Sequence, residues 1–155
     1  MLESHQEKTR IFVVDDDDDL RMLVAAHLRR CGYDATEFQD GEALLDYVGS
    51  LIMSRTDGVR ATDMILLDIK MPGFSGLQIL TSLRHAKWVN PIIMVTGMRR
   101  DVEDKAFTLG ATALVRKPFD MTEVVKMLKR VERHITPPIY AGSGGVSYQL
   151  RPFSM

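Results

Sequence analysis

Short apolar runs alternate along the chain with longer segments in which apolar residues recur at helical spacing. The runs predict five buried strands, at residues 10–14, 33–38, 64–68, 92–95 and 113–115. The segments between and after them predict five helices, one following each strand. Parallel strands need such crossovers, and right-handed crossovers place helices on both faces of a sheet. The pattern therefore predicts a doubly wound parallel α/β sheet.

Residues with strong preferences for helix ends mark several of the predicted helices. Asp40 is a start signal for the second helix, and Gly110 is a stop signal for the fourth. Asp120, with Glu123 three residues later, resembles a capping box at the start of the fifth helix. The third helix is expected to end near Trp88. The first helix has its apolar spacing at Leu20, Leu23, Val24, Leu28 and Cys31.

Length and composition indicate one folded unit with short extensions. The 155 residues, 45% of them hydrophobic, can bury one core and are too few for two ordinary domains. We expect this unit at residues 10–135, after an N-terminal leader at residues 1–9. Pro137, Pro138 and the glycines after them change the composition, so residues 136–155 are expected to form a flexible tail.

The charge balance and the cysteine content limit the partners and the compartment. Lys and Arg number 20 against 21 Asp and Glu, and the net charge of −1 gives no bulk attraction to nucleic acid or an anionic membrane. Cys31 is the single cysteine, which excludes an internal disulfide and suits a reducing compartment. No apolar run has the length of a signal-peptide core or a membrane span. We therefore expect a cytoplasmic protein.

Polar residues stand directly after four of the apolar runs: Asp15 and Asp16, Asp68, Thr96, and Lys117. The carboxyl ends of parallel strands meet at one edge of the sheet, so these residues are expected to lie together. Clustered carboxylates repel one another unless a hard cation binds their oxygens, and Mg²⁺ suits because it needs few protein ligands. No histidine or serine is paired with a base, so acyl transfer is poorly supported. A carboxylate nucleophile, a divalent cation and a lysine instead fit phosphoryl transfer.

Four motifs carry a resemblance to a known family. They are Val13-Val14-Asp15-Asp16 with Arg21 downstream, Leu66-Leu67-Asp68-Ile69-Lys70-Met71-Pro72-Gly73 with Gly76, Val95-Thr96-Gly97, and Lys117-Pro118-Phe119. In this order, over roughly residues 10–135, they resemble the receiver domain of two-component response regulators, the CheY-like superfamily. The resemblance implies the flavodoxin-like (βα)5 fold, a five-stranded parallel sheet with strand order 2-1-3-4-5.

The resemblance assigns Asp68 the role of phosphoacceptor. A histidine of a sensor kinase or of a histidine phosphotransfer protein would donate the phosphoryl group to its carboxylate. Thr96 would bond a phosphoryl oxygen, and Lys117 would form an ion pair with the phosphoryl group. The peptide bond before Pro118 would be cis.

The resemblance also implies Mg²⁺ as the cofactor of this reaction. Asp16, Asp68 and the backbone carbonyl of Lys70 would hold the ion, and Asp15 would act mainly through a coordinated water. The protein would not be an enzyme beyond catalysing its own phosphorylation and dephosphorylation.

The output of such a protein must pass through other molecules, because the chain has no room for a helix-turn-helix or a catalytic output domain. A downstream protein target, onward phosphotransfer or a domain outside this sequence is expected. In receivers, the face formed by the fourth helix, the fifth strand and the fifth helix meets partners or a second copy in a homodimer. Here that face carries Arg99, Arg100, Arg116, Lys126, Lys129, Arg130 and Arg133.

Two positions depart from the family pattern. Receivers usually carry Tyr or Phe three residues before the lysine, and this chain has Leu114 there. The switch is therefore expected to act through movement of Thr96 and the loop after it. Lys70 lies two residues after the acceptor, where its long cationic side chain can shield the phosphoryl group from water. We therefore expect slow self-dephosphorylation.

The sequence leaves two other functions open, a degenerate receiver and a phosphatase, and it argues against a calcium site. A degenerate receiver would bind partners without phosphorylation, an interpretation that only Leu114 favours. A phosphatase of the haloacid-dehalogenase type also forms an aspartyl phosphate, but such enzymes place a second aspartate where this chain has Lys70. The run Asp15 to Asp19 lacks the glycine and glutamate spacing of a calcium loop.

Overall fold

The computed structural model describes residues 7–97 and 99–134, in which strands alternate with helices. In chain order the elements are β1 (Arg10–Val14), α1 (Asp18–Arg30), β2 (Asp34–Phe38), α2 (Gly41–Met53), β3 (Met64–Asp68), α3 (Gly76–His85), β4 (Ile92–Thr96), α4 (Arg100–Thr108), β5 (Ala113–Arg116) and α5 (Met121–His134). All neighbouring strands pair in parallel, in the spatial order β2-β1-β3-β4-β5. This order confirms the expected flavodoxin-like, doubly wound sheet.

The sheet separates two apolar layers. Phe12 and Val14 of β1 belong to the layer built with α2, α3 and α4, whereas Ile11 and Val13 belong to the layer built with α1 and α5. Every residue of β1, β3 and β4 is buried, as expected for central strands covered by helices on both faces. This double burial explains why the strands appear in the sequence as continuous apolar runs.

Most helix ends follow the signals in the sequence. The Asp40 side chain accepts a hydrogen bond from the Ala43 N–H at the start of α2. Asp120 and Glu123 exchange the two bonds of a capping box before α5. Gly110 follows α4 with a φ of 104°, a left-handed conformation that glycine adopts without strain.

Two details of the helices differ from the expectation. The helix α3 ends at His85 rather than near Trp88, because the chain turns at Lys87, whose φ is 68°, and returns Trp88 to the core. On α1, Leu23 and Cys31 are exposed, because a helix buries only a narrow stripe against a sheet. The buried stripe of α1 consists of Val24, Ala25 and Leu28.

A buried ion pair holds the long connection between α2 and β3 at the amino edge of the sheet. Arg10 donates from Nε to Asp63 Oδ1 at 2.8 Å and from Nη2 to Asp63 Oδ2 at 2.6 Å. Arg10 Nη2 also donates to the Gly58 carbonyl, and the Arg60 N–H donates to Asp63 Oδ2. The Asn90 side-chain amide donates to the carbonyls of Arg60 and Asp63. The hydrogen bond to Asp63 raises the pKa of Arg10, so the guanidinium stays charged.

A second guanidinium at the same edge, that of Arg84 on α3, satisfies the backbone carbonyls of neighbouring connections. It donates to the Gly110 carbonyl at 3.0 and 2.8 Å, to that of Trp88 at 2.7 Å and to that of Asn90 at 2.8 Å. Burial lowers the pKa of Arg84 to about 10, which leaves the group charged at neutral pH. The chain segments after α3 and α4 are therefore tied to one side chain.

The described part of α5 ends at His134. The expectations for Ile135 and for a flexible tail at residues 136–155 lie outside the described residues. Among the residues that the structure does describe, no helix is long and apolar enough to cross a membrane.

Candidate functional site

Three carboxylates converge at the carboxyl edge of the sheet, as the sequence predicts. The strands β1 and β3 are neighbours, and the pairing of Val14 with Leu67 places the next residues, Asp15 and Asp68, side by side. One carboxylate oxygen from each of Asp15, Asp16 and Asp68 lies within 4.8 Å of the other two. Asp15 and Asp68 are buried, whereas Asp16 is exposed. The cluster is therefore open to solution on the side of Asp16.

Lys117, directly after β5, brings a positive charge to this cluster. Its Nζ lies 3.2 Å from Asp68 Oδ2 and 3.7 Å from Asp15 Oδ2. Burial by itself lowers the pKa of Lys117, but the attraction of Asp68 and Asp15 outweighs it, so the pKa is raised. The peptide bond between Lys117 and Pro118 is cis, which confirms the expectation for this position.

The site has more negative than positive charge. Burial is the largest influence on Asp15 and raises its pKa, and repulsion from Asp68 acts in the same direction. The Asp17 N–H, which donates to Asp15 Oδ1 at 2.9 Å, and the Lys117 charge oppose this shift without cancelling it. The three carboxylates supply hard oxygen ligands, and one lysine does not balance their charge. The cluster therefore fits a small divalent cation such as Mg²⁺.

Thr96 and Lys70 also lie at this edge. Thr96 ends β4, is buried, and its carbonyl accepts a hydrogen bond from the Lys117 N–H at 2.7 Å. Lys70 is exposed, and its N–H donates to Asp68 Oδ1 at 3.3 Å. The structure thus brings together all six residues selected from the sequence: Asp15, Asp16, Asp68, Lys70, Thr96 and Lys117. Their individual roles stay predictions.

Gly76, which the sequence shows only as part of a motif, determines how closely α3 approaches β3. Its N–H donates to the Ile69 carbonyl at 2.8 Å. A Cβ at this position would lie 2.7 Å from Ile69 Cα and would overlap the Asp68 carbonyl. Only glycine allows this contact, so the start of α3 holds the end of β3 in place.

Sequence reasoning missed the contacts of Arg21. The sequence identifies Arg21 as a motif residue but assigns it no role. In the structure, its Nη1 donates to the Asp15 carbonyl at 2.9 Å. It also pairs with Asp18 on its own helix and with Glu37 on β2. The Glu37 contact depends on the register of β1 with β2, which the sequence does not reveal.

The basic residues expected on the face formed by α4, β5 and α5 are not all free charges. Arg116 forms two-pronged hydrogen bonds with Glu103, which is buried on α4. This bonding raises the pKa of Arg116.

Leu114, in place of the usual aromatic residue, is buried in the apolar layer on the α4 side of the sheet.

Comparisons with known proteins agree with this geometry. The family model of the response regulator receiver domain matches residues 11–129. The transcriptional regulatory protein ResD of Bacillus subtilis is 30% identical over 149 residues, which cover 95% of this chain and 58% of ResD. The DNA-binding transcriptional regulator NtrC of Escherichia coli K12 is 30% identical over 125 residues, which cover 80% of this chain and 25% of NtrC. The chain therefore spans only part of the length of both relatives.

Solved structures give the same result for the fold. The crystal structure of FixJ-N matches with a TM-score of 0.72 and 26% identity, covering 85% of this chain and 99% of that one. The chemotaxis response regulator CheY4 of Vibrio cholerae matches with a TM-score of 0.69 and 25% identity, covering 81% of this chain and 99% of that one. With the family match over most of its length, the chain belongs to the response regulator receiver domains, the signalling modules of two-component systems.

Proposed function

We propose that this receiver domain is a phosphoacceptor and that Asp68 is the residue phosphorylated. The observation that supports this role is the position of Asp68, buried beside Asp15, Asp16 and Lys117 at the carboxyl edge. One Asp68 oxygen attacks the phosphorus of a phosphohistidine while the bond from phosphorus to the imidazole nitrogen breaks. The lysine charge 3.2 Å from the acceptor stabilises the negative charge of the transferred group.

We assign the metal ligands from the oxygens around Asp68. Asp16, Asp68 and the Lys70 backbone carbonyl would hold Mg²⁺, and Asp15 would act through a water. Bound Mg²⁺ supplies positive charge against the oxygens of the transferring group. Lys117, which lies 3.2 Å from Asp68 and 3.7 Å from Asp15, would add its own positive charge to that of the ion.

Thr96 connects the acceptor to the rest of the sheet in this proposal. Its hydroxyl bonds a phosphoryl oxygen, which draws Thr96 and the loop after it toward Asp68. The hydrogen bond from the Lys117 N–H to the Thr96 carbonyl joins the ends of β4 and β5, so both strand ends respond together. Because Leu114 replaces the usual aromatic residue and is buried in the core, this movement is the signal.

The partners follow from the same chemistry. The phosphoryl donor is a sensor histidine kinase or a histidine phosphotransfer protein, and the output is binding to a downstream protein or onward phosphotransfer. The face formed by α4, β5 and α5 is the proposed contact surface for that partner or for a second copy. We place the folded unit at residues 10–135 and the protein in the cytoplasm.

Intact mass spectrometry tests the acceptor directly. The full chain is incubated with Mg²⁺ and a small phosphoramidate donor, beside the Asp68→Asn variant and a metal-free sample. We expect the wild-type chain to gain one phosphoryl group and both controls to gain none. Absence of any gain in the wild type would contradict the proposal and favour a receiver that binds its partner unmodified.

A further inference from the structure

We infer that Arg21 is a positioning residue for the metal site, and that it sets the Mg²⁺ affinity through the backbone of Asp15. The inference rests on the proposed function, because it concerns the ion that this function requires. In the contacts that the structure describes, Arg21 does not reach a carboxylate oxygen of Asp15, Asp16 or Asp68. It bonds instead the backbone carbonyl of Asp15.

Asp15 is held at three of its polar atoms. Its N–H donates to the Phe38 carbonyl at 3.2 Å, which continues the pairing of β1 with β2. Its Oδ1 accepts the Asp17 N–H, and its carbonyl accepts Arg21 Nη1, both at 2.9 Å. Arg21 is the only side chain among these three partners. The orientation of the peptide between Asp15 and Asp16 therefore depends on Arg21.

That peptide determines where the Asp16 carboxylate lies. Asp16 is exposed, so packing does not hold its side chain, and its place relative to Asp68 follows from the backbone. Mg²⁺ demands nearly ideal octahedral geometry with ligand distances of about 2.0–2.1 Å. A small rotation of the peptide would thus move the Asp16 carboxylate out of the position that Mg²⁺ binding requires.

Two contacts hold the Arg21 guanidinium directly. Its Nη1 donates to the Asp15 carbonyl at 2.9 Å, and its Nη2 lies 2.7 Å from Asp18 Oδ1. Its Nε is buried without a hydrogen-bond partner, and Glu37 Oε1 lies 3.5 Å away from it. The Arg21 side chain is 11% exposed, whereas that of Asp18 is 71% exposed. A planar guanidinium can make both contacts at once, whereas a lysine ammonium on a flexible stem cannot keep the same geometry.

The charge of Arg21 has the opposite effect to its geometry. A positive group near the cluster repels a second cation, so removing the charge alone would tighten Mg²⁺ binding. Removing the anchor of the Asp15 carbonyl would weaken it. The direction of the change in affinity therefore separates a positioning role from a purely electrostatic one.

The experiment is a calorimetric Mg²⁺ titration of the full chain and its variants. We expect Arg21→Gln to raise the Kd about tenfold, the range seen when partners of metal ligands are removed, and Arg21→Lys to raise it less. Arg29→Gln is the matched control, because Arg29 is on the same helix and also contacts Glu37 but not Asp15. Its Kd is expected to stay within about twofold of the wild type.

Thermal unfolding of the metal-free variants separates positioning from general stability. A merely structural role would lower the Tm of Arg21→Gln while leaving the Kd unchanged, and that result, or tighter binding, overturns the inference. If Arg21→Gln does not fold, Arg21→Lys keeps the charge and is expected to raise the Kd because its ammonium cannot keep the geometry of the guanidinium; an unchanged Kd there is equally contrary. A wild-type chain that binds no Mg²⁺ contradicts the proposed function instead.

Discussion

The two edges of the sheet differ in how their buried carboxylates are paired with positive charge. At the amino edge, Arg10 and Asp63 form a bidentate pair, and Asp63 accepts a further hydrogen bond from the Arg60 N–H. At the carboxyl edge, three carboxylates cluster, and Lys117 pairs with two of them, Asp68 at 3.2 Å and Asp15 at 3.7 Å. Both edges bury carboxylates, but the amino edge gives Asp63 a bidentate guanidinium of its own, whereas the carboxyl edge has one lysine for two buried carboxylates.

The difference shows what each edge does for the protein. Buried charges with complete hydrogen bonding fix a connection in one conformation, and removing one partner is costly. Buried carboxylates with incomplete neutralisation instead favour the arrival of a cation, because that cation relieves their repulsion. The amino edge thus stabilises the fold, and the carboxyl edge fits the cation of the proposed function.

Breaking the amino-edge pair should give the largest effect on stability. Asp63→Ala leaves the buried Arg10 charge with only the Gly58 carbonyl and the exposed Asp57 carboxylate, so we expect a loss of about 3–5 kcal/mol in the free energy of unfolding. Urea unfolding monitored by circular dichroism measures it. The control is Asp57→Ala, whose carboxylate is 3.8 Å from Arg10 and 70% exposed, with an expected change below about 1 kcal/mol. Equal losses in the two variants would remove the distinction between the paired and the exposed carboxylate.

Neutralising the carboxyl edge should have a smaller effect of opposite sign. We expect Asp15→Asn to stabilise the metal-free protein by on the order of 1 kcal/mol, because repulsion and burial disfavour the ionised side chain. Mg²⁺ should stabilise the wild type by about 2.7 kcal/mol at 100 times its Kd, and the variant by less. Urea unfolding with and without Mg²⁺ measures both; a less stable metal-free variant would contradict the expectation.

The same comparison has a dependence on pH. The pKa of Asp15 is raised in the folded protein, mainly by burial and then by Asp68, so the folded state binds this proton more tightly than the unfolded chain does. The wild type therefore loses stability, relative to Asp15→Asn, as the pH rises through the raised pKa. The gain from the substitution should be present at pH 7 and absent below the ordinary aspartate pKa of 3.8.

Lys70 offers a test of a rate instead of a stability, namely the lifetime of the phosphorylated state. Its exposed side chain begins next to the N–H that bonds Asp68, so it can shield the phosphoryl group from water. We expect Lys70→Asn to lose the phosphoryl group about tenfold faster, equivalent to roughly 1.4 kcal/mol of barrier. Timed intact-mass measurements after removal of the donor give the rate, and an unchanged rate would show that Lys70 does not protect the group.

The sequence was sufficient wherever local chemistry decided the structure. The strand that ends at Asp68 is a continuous apolar run closed by Pro72-Gly73, and this pattern predicts both the element and the edge where its carboxylate lies. The capping box of Asp120 and Glu123 is equally local. Such features need only neighbouring residues, so their outcome is visible in the sequence.

Contacts between distant polar residues could not be predicted in the same way. Arg10 and Asp63 are 53 residues apart, and Asp63 belongs to a connection whose composition indicates only a loop. The bonds between Arg116 and Glu103 likewise depend on how α4 lies against β5, which apolar spacing does not specify. The apolar spacing of α1 also does not fix the rotation of the helix about its axis, and Leu23 is exposed although the spacing includes it.

The exposed thiol of Cys31 provides one site for selective chemical labelling. It is the single cysteine of the chain and follows α1, which returns from the carboxyl edge to the amino edge of the sheet. A maleimide dye or a surface tether attached there would leave the cluster of Asp15, Asp16 and Asp68 on the opposite side, where Asp16 is exposed. Protein without any engineered residue can therefore be immobilised in one orientation while its acidic edge stays open to solution.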